Sequence, residues 1–237
     1  NEYITKAGFQ INPSKEYDIQ VKTMPYVSRG GFKLKKALDT FSVKVEGRIC
    51  FDAGASTGGF TDCLLQNGAK FVYAADVGYG QFDWKIRSDK RVKTIERTNL
   101  KICSFDEIYA ENEPVADLLV SDLSFISLTK VLENLKKLLN PGFHEMVCLI
   151  KPQFEAGKEN VEKGGVVKDK KVHEEVIENV INFAKNLGYT INDLTFSSIK
   201  GPSGNIEYLV WLSTQSGKET DLDIKALVDN AFKTLNS

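Results

Sequence analysis

Long hydrophobic runs are missing from this 237-residue sequence. An uninterrupted apolar stretch such as 146–150 covers only five residues, whereas a helix that spans a membrane needs about 20. The amino-terminal residues also lack the basic-then-apolar order of a secretory signal. We therefore expect a cytoplasmic protein that does not enter a membrane. Because the first residue is not Met, we also expect this chain to begin inside a longer one.

Cysteine and histidine are scarce, with four and two residues respectively. The cysteines are widely spaced, form no C-x-x-C pair and have no histidine nearby in a metal-ligand pattern. Because disulfides persist mainly in oxidising compartments, reduced buried thiols are the better interpretation. The sequence therefore predicts neither a metal site nor a disulfide framework for Cys50, Cys63, Cys103 and Cys148.

Charge of one sign is not in excess. The formal net charge is −1, which excludes a uniformly basic protein that coats nucleic acid. The charges are unevenly distributed, however: segment 15–48 contains eight basic and four acidic residues, and segment 85–101 contains seven and two. Each run is either an ordinary solvated face or a surface that contacts RNA phosphates.

Short apolar runs alternate with amphipathic stretches along the chain. The apolar runs predict seven strands, at 48–53, 71–76, 92–95, 117–121, 145–150, 189–197 and 207–213. The amphipathic stretches predict helices at 30–41, 59–67, 84–88, 128–139, 169–187 and 222–235. Strands that are separated by helices favour a mostly parallel, doubly wound α/β sheet. Turn-forming residues at 200–205 predict that the last two strands form an antiparallel hairpin at the sheet edge.

The most informative segment is 51–60, Phe-Asp-Ala-Gly-Ala-Ser-Thr-Gly-Gly-Phe, which follows a predicted strand and opens a predicted helix. In that context a glycine loop brings the backbone close to a ligand. The spacing G-x-x-x-G-G differs from the G-x-G-x-x-G of dinucleotide sites, and the loop lacks the G-K-[ST] end of an ATP-binding loop. The pattern favours a ligand with a charged amino acid end and no phosphate, such as S-adenosylmethionine.

Two acidic residues agree with this interpretation. Asp52 stands just before the first glycine, and Asp76 ends the next predicted strand. A carboxylate at the second position can accept both hydrogen bonds of a ribose diol. The alternative is that both residues merely cap strand ends and that the glycines form a tight turn.

Four further polar residues stand at or near predicted element ends. Asp122 follows the fourth strand, Lys151 follows the fifth, and Glu207 opens the last strand. Lys33 lies in the first helix, opposite its apolar stripe. Doubly wound sheets bind ligands at the carboxyl ends of their strands, where Asp122 and Lys151 are expected. Taken singly, each of the four is more typical of a surface charge.

Together, these four residues resemble the Lys-Asp-Lys-Glu tetrad of FtsJ-like RNA ribose 2′-O-methyltransferases. Several segments are more closely similar to the hemolysin A (TlyA) branch of that family, namely 26–31, 52–62, 76–81, 96–99 and 150–155. The similarity runs from about residue 3 to residue 213. It implies a Rossmann-like class I methyltransferase fold, with a seven-stranded, mostly parallel sheet and an antiparallel edge hairpin.

The resemblance also implies roles for individual residues. Lys151 would be the base for the ribose hydroxyl, in a tetrad with Lys33, Asp122 and Glu207. S-adenosylmethionine would be the cofactor. Its pocket would be lined by Asp52, Gly54, Thr57, Gly58, Gly59, Phe60, Asp76 and Asn99. Phe125 either stacks on a target base or belongs to the core.

Ribosomal RNA is the substrate that the resemblance implies, with cytidine 2′-hydroxyls as acceptors and ribosomal subunits as further partners. The chain would divide into a remnant of an RNA-binding module plus linker (1–27), an FtsJ-like methyltransferase domain (28–215) and a carboxy-terminal helix or tail (216–237). Three alternatives stay open: a small-molecule O-methyltransferase, a non-catalytic RNA-binding relative and a membrane-active hemolysin. The tetrad argues against the first two, and the lack of a spanning helix argues against the third.

Overall fold

A seven-stranded sheet forms the centre of the molecule. The computed structural model describes residues 24–215 and 221–236, so most of the predicted module remnant lies outside the described residues. The strands are β1 (Ile49–Ala53), β2 (Phe71–Ala75), β3 (Val92–Ile95), β4 (Leu118–Ser121), β5 (Glu145–Ile150), β6 (Thr190–Phe196) and β7 (Tyr208–Ser213). Their order across the sheet is β3-β2-β1-β4-β5-β7-β6. Strands β1 to β5 run parallel, and β7 is antiparallel to both of its neighbours.

Helices cover both faces of this sheet. They are α1 (Gly30–Phe41), α2 (Gly59–Gln66), α3 (Trp84–Arg87), α4 (Phe105–Ile108), α5 (Leu132–Lys137), α6 (Pro152–Glu155), α7 (Lys170–Asn186) and α8 (Ile224–Leu235). Side chains of α1, α2 and α3 belong to one apolar cluster, and those of α4, α5, α7 and α8 belong to the other. The molecule is therefore a three-layer α/β/α sandwich, in which the sheet is buried on both faces.

Local sequence signals explain where the elements begin and end. Every residue of β4 and β5 is buried, as expected for parallel strands that are covered on both faces. Helix α7 begins after Asp169, whose carboxylate accepts the N–H of Lys171 at 2.9 Å. It ends before Gly188, which has a φ of 86°. Across 24–215 and 221–236, no helix is long and apolar enough to cross a membrane.

The predicted strands and the edge hairpin are confirmed, but one predicted helix is wrong. The segment 128–139 contains a 3₁₀ turn (Leu128–Lys130) followed by the separate helix α5. The break lies at Val131, whose φ of −120° departs from helical geometry. The short helices α4 and α6 were not predicted.

The order of the strands creates a cleft at the carboxyl edge of the sheet. From β1 the chain moves outward to β2 and β3, and it then returns to form β4 on the other side of β1. The connections after β1 and β4 therefore diverge, which is where doubly wound folds bind their ligands. The glycine loop follows β1, and Asp122 follows β4.

Candidate active site

The glycine loop lies between β1 and α2. The N–H groups of Gly54 and Ala55 both donate to the carbonyl of Ala75, at 2.9 and 3.1 Å. Gly54 has a φ of 84° and Gly58 a φ of 98°, and a Cβ on Gly58 would lie 2.6 Å from Cγ1 of Ile86. Glycine is needed at both positions because other residues rarely adopt this backbone. The loop is thus held against β2 and packed beneath α3.

Two cavities meet at this loop. The first has a volume of about 490 Å³ and the second about 440 Å³, within the ordinary range for small-ligand sites. Gly54, Ser56, Asp122 and Ser124 line both of them. Of the predicted residues, the first cavity is lined by Lys33, Gly54, Thr57, Gly59, Phe60, Asp122 and Lys151. The second is lined by Gly54, Asp76, Asn99 and Asp122.

Asp76 is prepared to bind a polar ligand. Its Oδ2 accepts the N–H of Ser56 and its Oδ1 accepts the N–H of Gly78, both at 2.7 Å. These two bonds hold the carboxylate in one orientation at the second cavity. Each oxygen can accept a further hydrogen bond. Both oxygens could accept the two hydroxyls of a ribose, and that role of Asp76 stays a prediction.

Asp52 and Gly58 line neither cavity, although we predicted both as cofactor contacts. Asp52 is fully buried and turns towards α2, where its Oδ2 accepts the hydroxyl of Thr61 at 2.6 Å. Its Oδ1 has no hydrogen-bond partner among the described residues. Burial raises the pKa of Asp52 to about 7. Asp52 therefore acts on the loop indirectly, by holding the helix that follows it.

Lys33, Asp122, Lys151 and Glu207 form a continuous chain of ion pairs at the first cavity. Nζ of Lys33 lies 2.6 Å from Oε2 of Glu207 and 3.5 Å from Oδ2 of Asp122. Nζ of Lys151 lies 2.5 Å from Oδ1 of the same aspartate. Both lysines and Glu207 are buried, whereas the Asp122 side chain keeps 19% of its surface exposed. Two positive and two negative charges balance, which buried charges require.

The structure turns Lys33 inward, against the expectation that it lies opposite the apolar stripe of α1. Its long side chain carries the ammonium group to Glu207, which has no exposed surface. Gly201 leaves room for that carboxylate, since a Cβ there would lie 2.5 Å from its Oε1. The tetrad therefore depends on the β6–β7 hairpin as well as on α1.

Two residues that the sequence analysis missed complete the tetrad. The hydroxyl of Ser124 accepts a hydrogen bond from Nζ of Lys151 at 2.8 Å. The amide of Gln153 donates to Oε1 of Glu207 at 3.4 Å. Each follows a tetrad residue (Asp122 or Lys151) by two positions, and this spacing is the signal that could have found them.

The loop after Asp122 is clamped by α6. The two carboxylate oxygens of Glu155 accept the hydroxyl of Ser127 and the N–H of Leu128, both at 2.6 Å. The ring of Phe154 lies against that of Phe125, with centroids 5.2 Å apart. Phe125 itself has a φ of 64°, which is strained for a bulky residue. Because 91% of its surface is exposed, the alternative that it belongs to the core is wrong.

The segment before α1 packs onto the body of the molecule. Tyr26 is buried, and a Cβ on Gly31 would lie 2.2 Å from its ring. The N–H of Val27 donates to Oδ2 of Asp62 at 2.9 Å, and Oδ1 of the same carboxylate pairs with Lys85 at 2.8 Å. Residues 24–27 therefore join α2 and α3 as part of one packed unit. The division of the chain at 27/28 and 215/216 stays a prediction.

A model of FtsJ-like methyltransferases matches residues 26–214, which include the glycine loop and all four tetrad residues. The chain belongs to the FtsJ-like methyltransferase family. YqxC of Bacillus subtilis, named as an rRNA methyltransferase, is 44% identical over 237 residues, which cover 98% of this chain and 83% of the relative. The 16S/23S rRNA (cytidine-2′-O)-methyltransferase TlyA of Mycobacterium tuberculosis is 44% identical over 211 residues, which cover 89% of this chain and 76% of the relative. A solved Streptococcus thermophilus structure named as a hemolysin has a TM-score of 0.83 and 43% identity, and the match covers 91% of this chain and 77% of that structure.

Membership of this family confirms several predictions. The Rossmann-like fold, the methyltransferase activity and the resemblance to the hemolysin A branch are all supported by the match and by these relatives. S-adenosylmethionine is the cofactor, as the glycine loop predicted. The residues present fit it, because the carboxylate of Asp76 is oriented at the second cavity and Gly54 lines both cavities without a side chain.

Proposed function

We propose that this protein transfers a methyl group from S-adenosylmethionine to a ribose 2′-hydroxyl of ribosomal RNA, with cytidine as the target nucleotide. The observation that carries the proposal is the ion-pair chain through Asp122 and Lys151 beside the cavity that Asp76 faces. The name of the Mycobacterium tuberculosis relative supports both the RNA and the nucleotide. Such an enzyme would work in the cytoplasm, on the RNA itself or on ribosomal subunits.

Lys151 is the proposed general base. S-adenosylmethionine supplies the methyl group on a sulfonium centre, so the transfer needs a hydroxyl held in line and an acceptor for its proton. Lys151 lines the first cavity, and Asp122 and Ser124 hold its Nζ in one position. Once Lys151 has given up its own proton, its amine takes the hydroxyl proton while the hydroxyl oxygen bonds to the methyl carbon and the bond between that carbon and sulfur breaks. The ammonium ion that results is stabilised by the Asp122 carboxylate, 2.5 Å away.

The other tetrad members are proposed to position this base. Asp122 contacts both lysines, so its orientation depends on where each ammonium group lies. Lys33 is itself held by Glu207 at 2.6 Å. This arrangement leaves Asp122 with one oxygen for each lysine and keeps Lys151 at the cavity wall.

Phe125 is proposed to stack on the target base. It follows Asp122 by three residues, and its ring is exposed in a strained backbone that Glu155 and Phe154 help to hold. Strain of this kind concentrates at ligand-binding positions. An exposed aromatic ring beside the acceptor site offers a surface for any base that leaves its own stack.

The experiment that tests the function is methyl transfer from labelled S-adenosylmethionine to ribosomal subunits from cells that lack this gene. Lys151→Ala should lower the rate to below about a tenth of wild type, while calorimetry finds cofactor affinity changed by no more than a few-fold. Lys137→Ala, which removes an exposed lysine paired with Glu133, is the matched control. A Lys151→Ala variant that keeps more than about a tenth of the rate excludes Lys151 as the base. Wild-type protein that binds the subunits without methylating them is instead a non-catalytic relative.

A further inference from the structure

A third cavity, of about 750 Å³, lies next to the proposed acceptor site. Phe125 lines both this cavity and the second one. None of the tetrad residues and none of the predicted cofactor contacts lines the third cavity. The residues that matter for its chemistry are Lys101, Lys130, Lys158, Phe125, Phe154 and Glu162.

The charge around this cavity is mainly positive. Lys101, Lys130 and Lys158 are exposed, and within 24–215 and 221–236 no hydrogen bond or ion pair engages their ammonium groups. Glu162 is paired with a lysine outside the cavity lining, Lys168, at 2.7 Å. The nearby carboxylate of Glu155 accepts two hydrogen bonds from the loop and attracts Lys130 electrostatically, without forming an ion pair with it. Three free ammonium groups around one cavity attract an anion, and a nucleic acid supplies such charges as a series of phosphates.

The same cavity has an aromatic wall. Phe125 and Phe154 lie 5.2 Å apart, and Nζ of Lys151 lies 5.8 Å from the centroid of the Phe154 ring. The wall therefore begins beside the proposed base and continues into the cavity. Aromatic rings combined with unpaired lysines are typical of sites that hold single-stranded nucleic acid, because bases stack while phosphates are neutralised.

We propose that the third cavity binds the nucleotide adjacent to the methylated one in single-stranded RNA. The base of that nucleotide lies against Phe154, and its phosphates contact Lys130 and Lys158. Binding there fixes the RNA on both sides of the target ribose, which the in-line geometry of the transfer requires. This inference rests on the proposed function and adds to it a second subsite, with the chemical class of its ligand.

The test compares two double variants that remove the same charge. Lys130→Ala/Lys158→Ala acts on the cavity, and Lys101 is left unchanged because it also lines the second cavity. Lys70→Ala/Lys137→Ala removes two exposed lysines that precede β2 and β5, at the opposite edge of the sheet. Methylation of ribosomal subunits is measured as kcat/KM over a series of salt concentrations, and cofactor affinity is measured by calorimetry.

Each single-strand phosphate contact contributes about 0.7 to the slope of log affinity against log salt. Lys130→Ala/Lys158→Ala should therefore flatten that slope by about 1.4 and lower kcat/KM at low salt, with unchanged cofactor affinity. The Lys70→Ala/Lys137→Ala variant should keep the wild-type slope. Equal slopes in the two variants, or a loss of cofactor affinity that accounts for the change in rate, overturn the subsite while leaving the proposed function intact. Wild-type protein that methylates no ribosomal RNA overturns both.

Discussion

Removal of the Glu207 charge tests whether the tetrad behaves as one buried, charge-balanced unit. Glu207→Gln keeps the shape of the side chain and its ability to accept hydrogen bonds. Lys33 is 6% exposed and lies 2.6 Å from Oε2 of Glu207. Without that carboxylate, the counter-ion left within the described residues is Asp122, 3.5 Å away and already shared with Lys151.

The expected cost follows from this burial. Removing one partner of a buried ion pair typically costs about 3–5 kcal/mol, because the remaining charge is left uncompensated. Since Asp122 still compensates Lys33 in part, we expect Glu207→Gln to lower the free energy of unfolding by about 3 kcal/mol. Adding Lys33→Met should recover most of that loss, because no unpaired buried charge then remains.

The matched control is Glu133→Gln. Glu133 pairs with Lys137 at 2.9 Å, but both side chains are more than 60% exposed. The same chemical change there should lower the free energy of unfolding far less, because water screens the pair and solvates the partner that is left. The difference between the two substitutions therefore measures the effect of burial.

Urea unfolding followed by tryptophan fluorescence measures these free energies, and one of the two tryptophans, Trp211, lies in β7, next to β5. Methyl transfer is measured on the same samples. We expect Glu207→Gln to be destabilised and poorly active, and the double variant with Lys33→Met to be stable but inactive. The reasoning fails if Glu207→Gln costs no more than Glu133→Gln, or if the double variant is less stable than the single one.

Two further predictions concern Asp52 and Phe125. Burial raises the pKa of Asp52 from its ordinary value of 3.8 to about 7 in the folded state. The folded state therefore binds this proton more tightly than the unfolded state does, and the stability that the bound proton contributes is lost as pH rises from about 4 to 7. Asp52→Asn cannot ionise and can still accept the Thr61 hydroxyl. Relative to wild type, its free energy of unfolding in urea should therefore be about 2–3 kcal/mol more favourable at pH 8 than at pH 5. A difference between the two proteins that does not depend on pH contradicts this. Phe125→Ala keeps a Cβ and therefore the same backbone strain, so it isolates the ring. Loss of a base stack worth about 1–3 kcal/mol should raise KM for ribosomal RNA roughly 5- to 150-fold without changing cofactor affinity, whereas an unchanged KM would show that the ring does not contact the base.

The sequence by itself determined the elements and the kind of ligand. Strands buried on both faces must be apolar, so alternating apolar and amphipathic runs predicted all seven strands and the longer helices, whereas the short helices α4 and α6 were missed. The glycine loop could be recognised from the sequence because glycine is favoured where φ is positive, as at Gly54 and Gly58. The turn residues at 200–205 predicted the edge hairpin for the same local reason. These features depend on neighbours that are close in sequence.

Only the tertiary structure decided which polar side chains meet and which are buried. Lys33 and Glu207 are 174 positions apart, and they pair because β7 inserts beside β5 and α1 packs over the same edge. Helical periodicity predicted the polar face for Lys33, since a local pattern contains no information about a distant buried carboxylate. The environment of Asp52 could not be predicted either, because its burial and its bond to Thr61 depend on how α2 covers β1. Ion pairs and burial arise from contacts between distant segments, and those contacts exist only once the strand order is set.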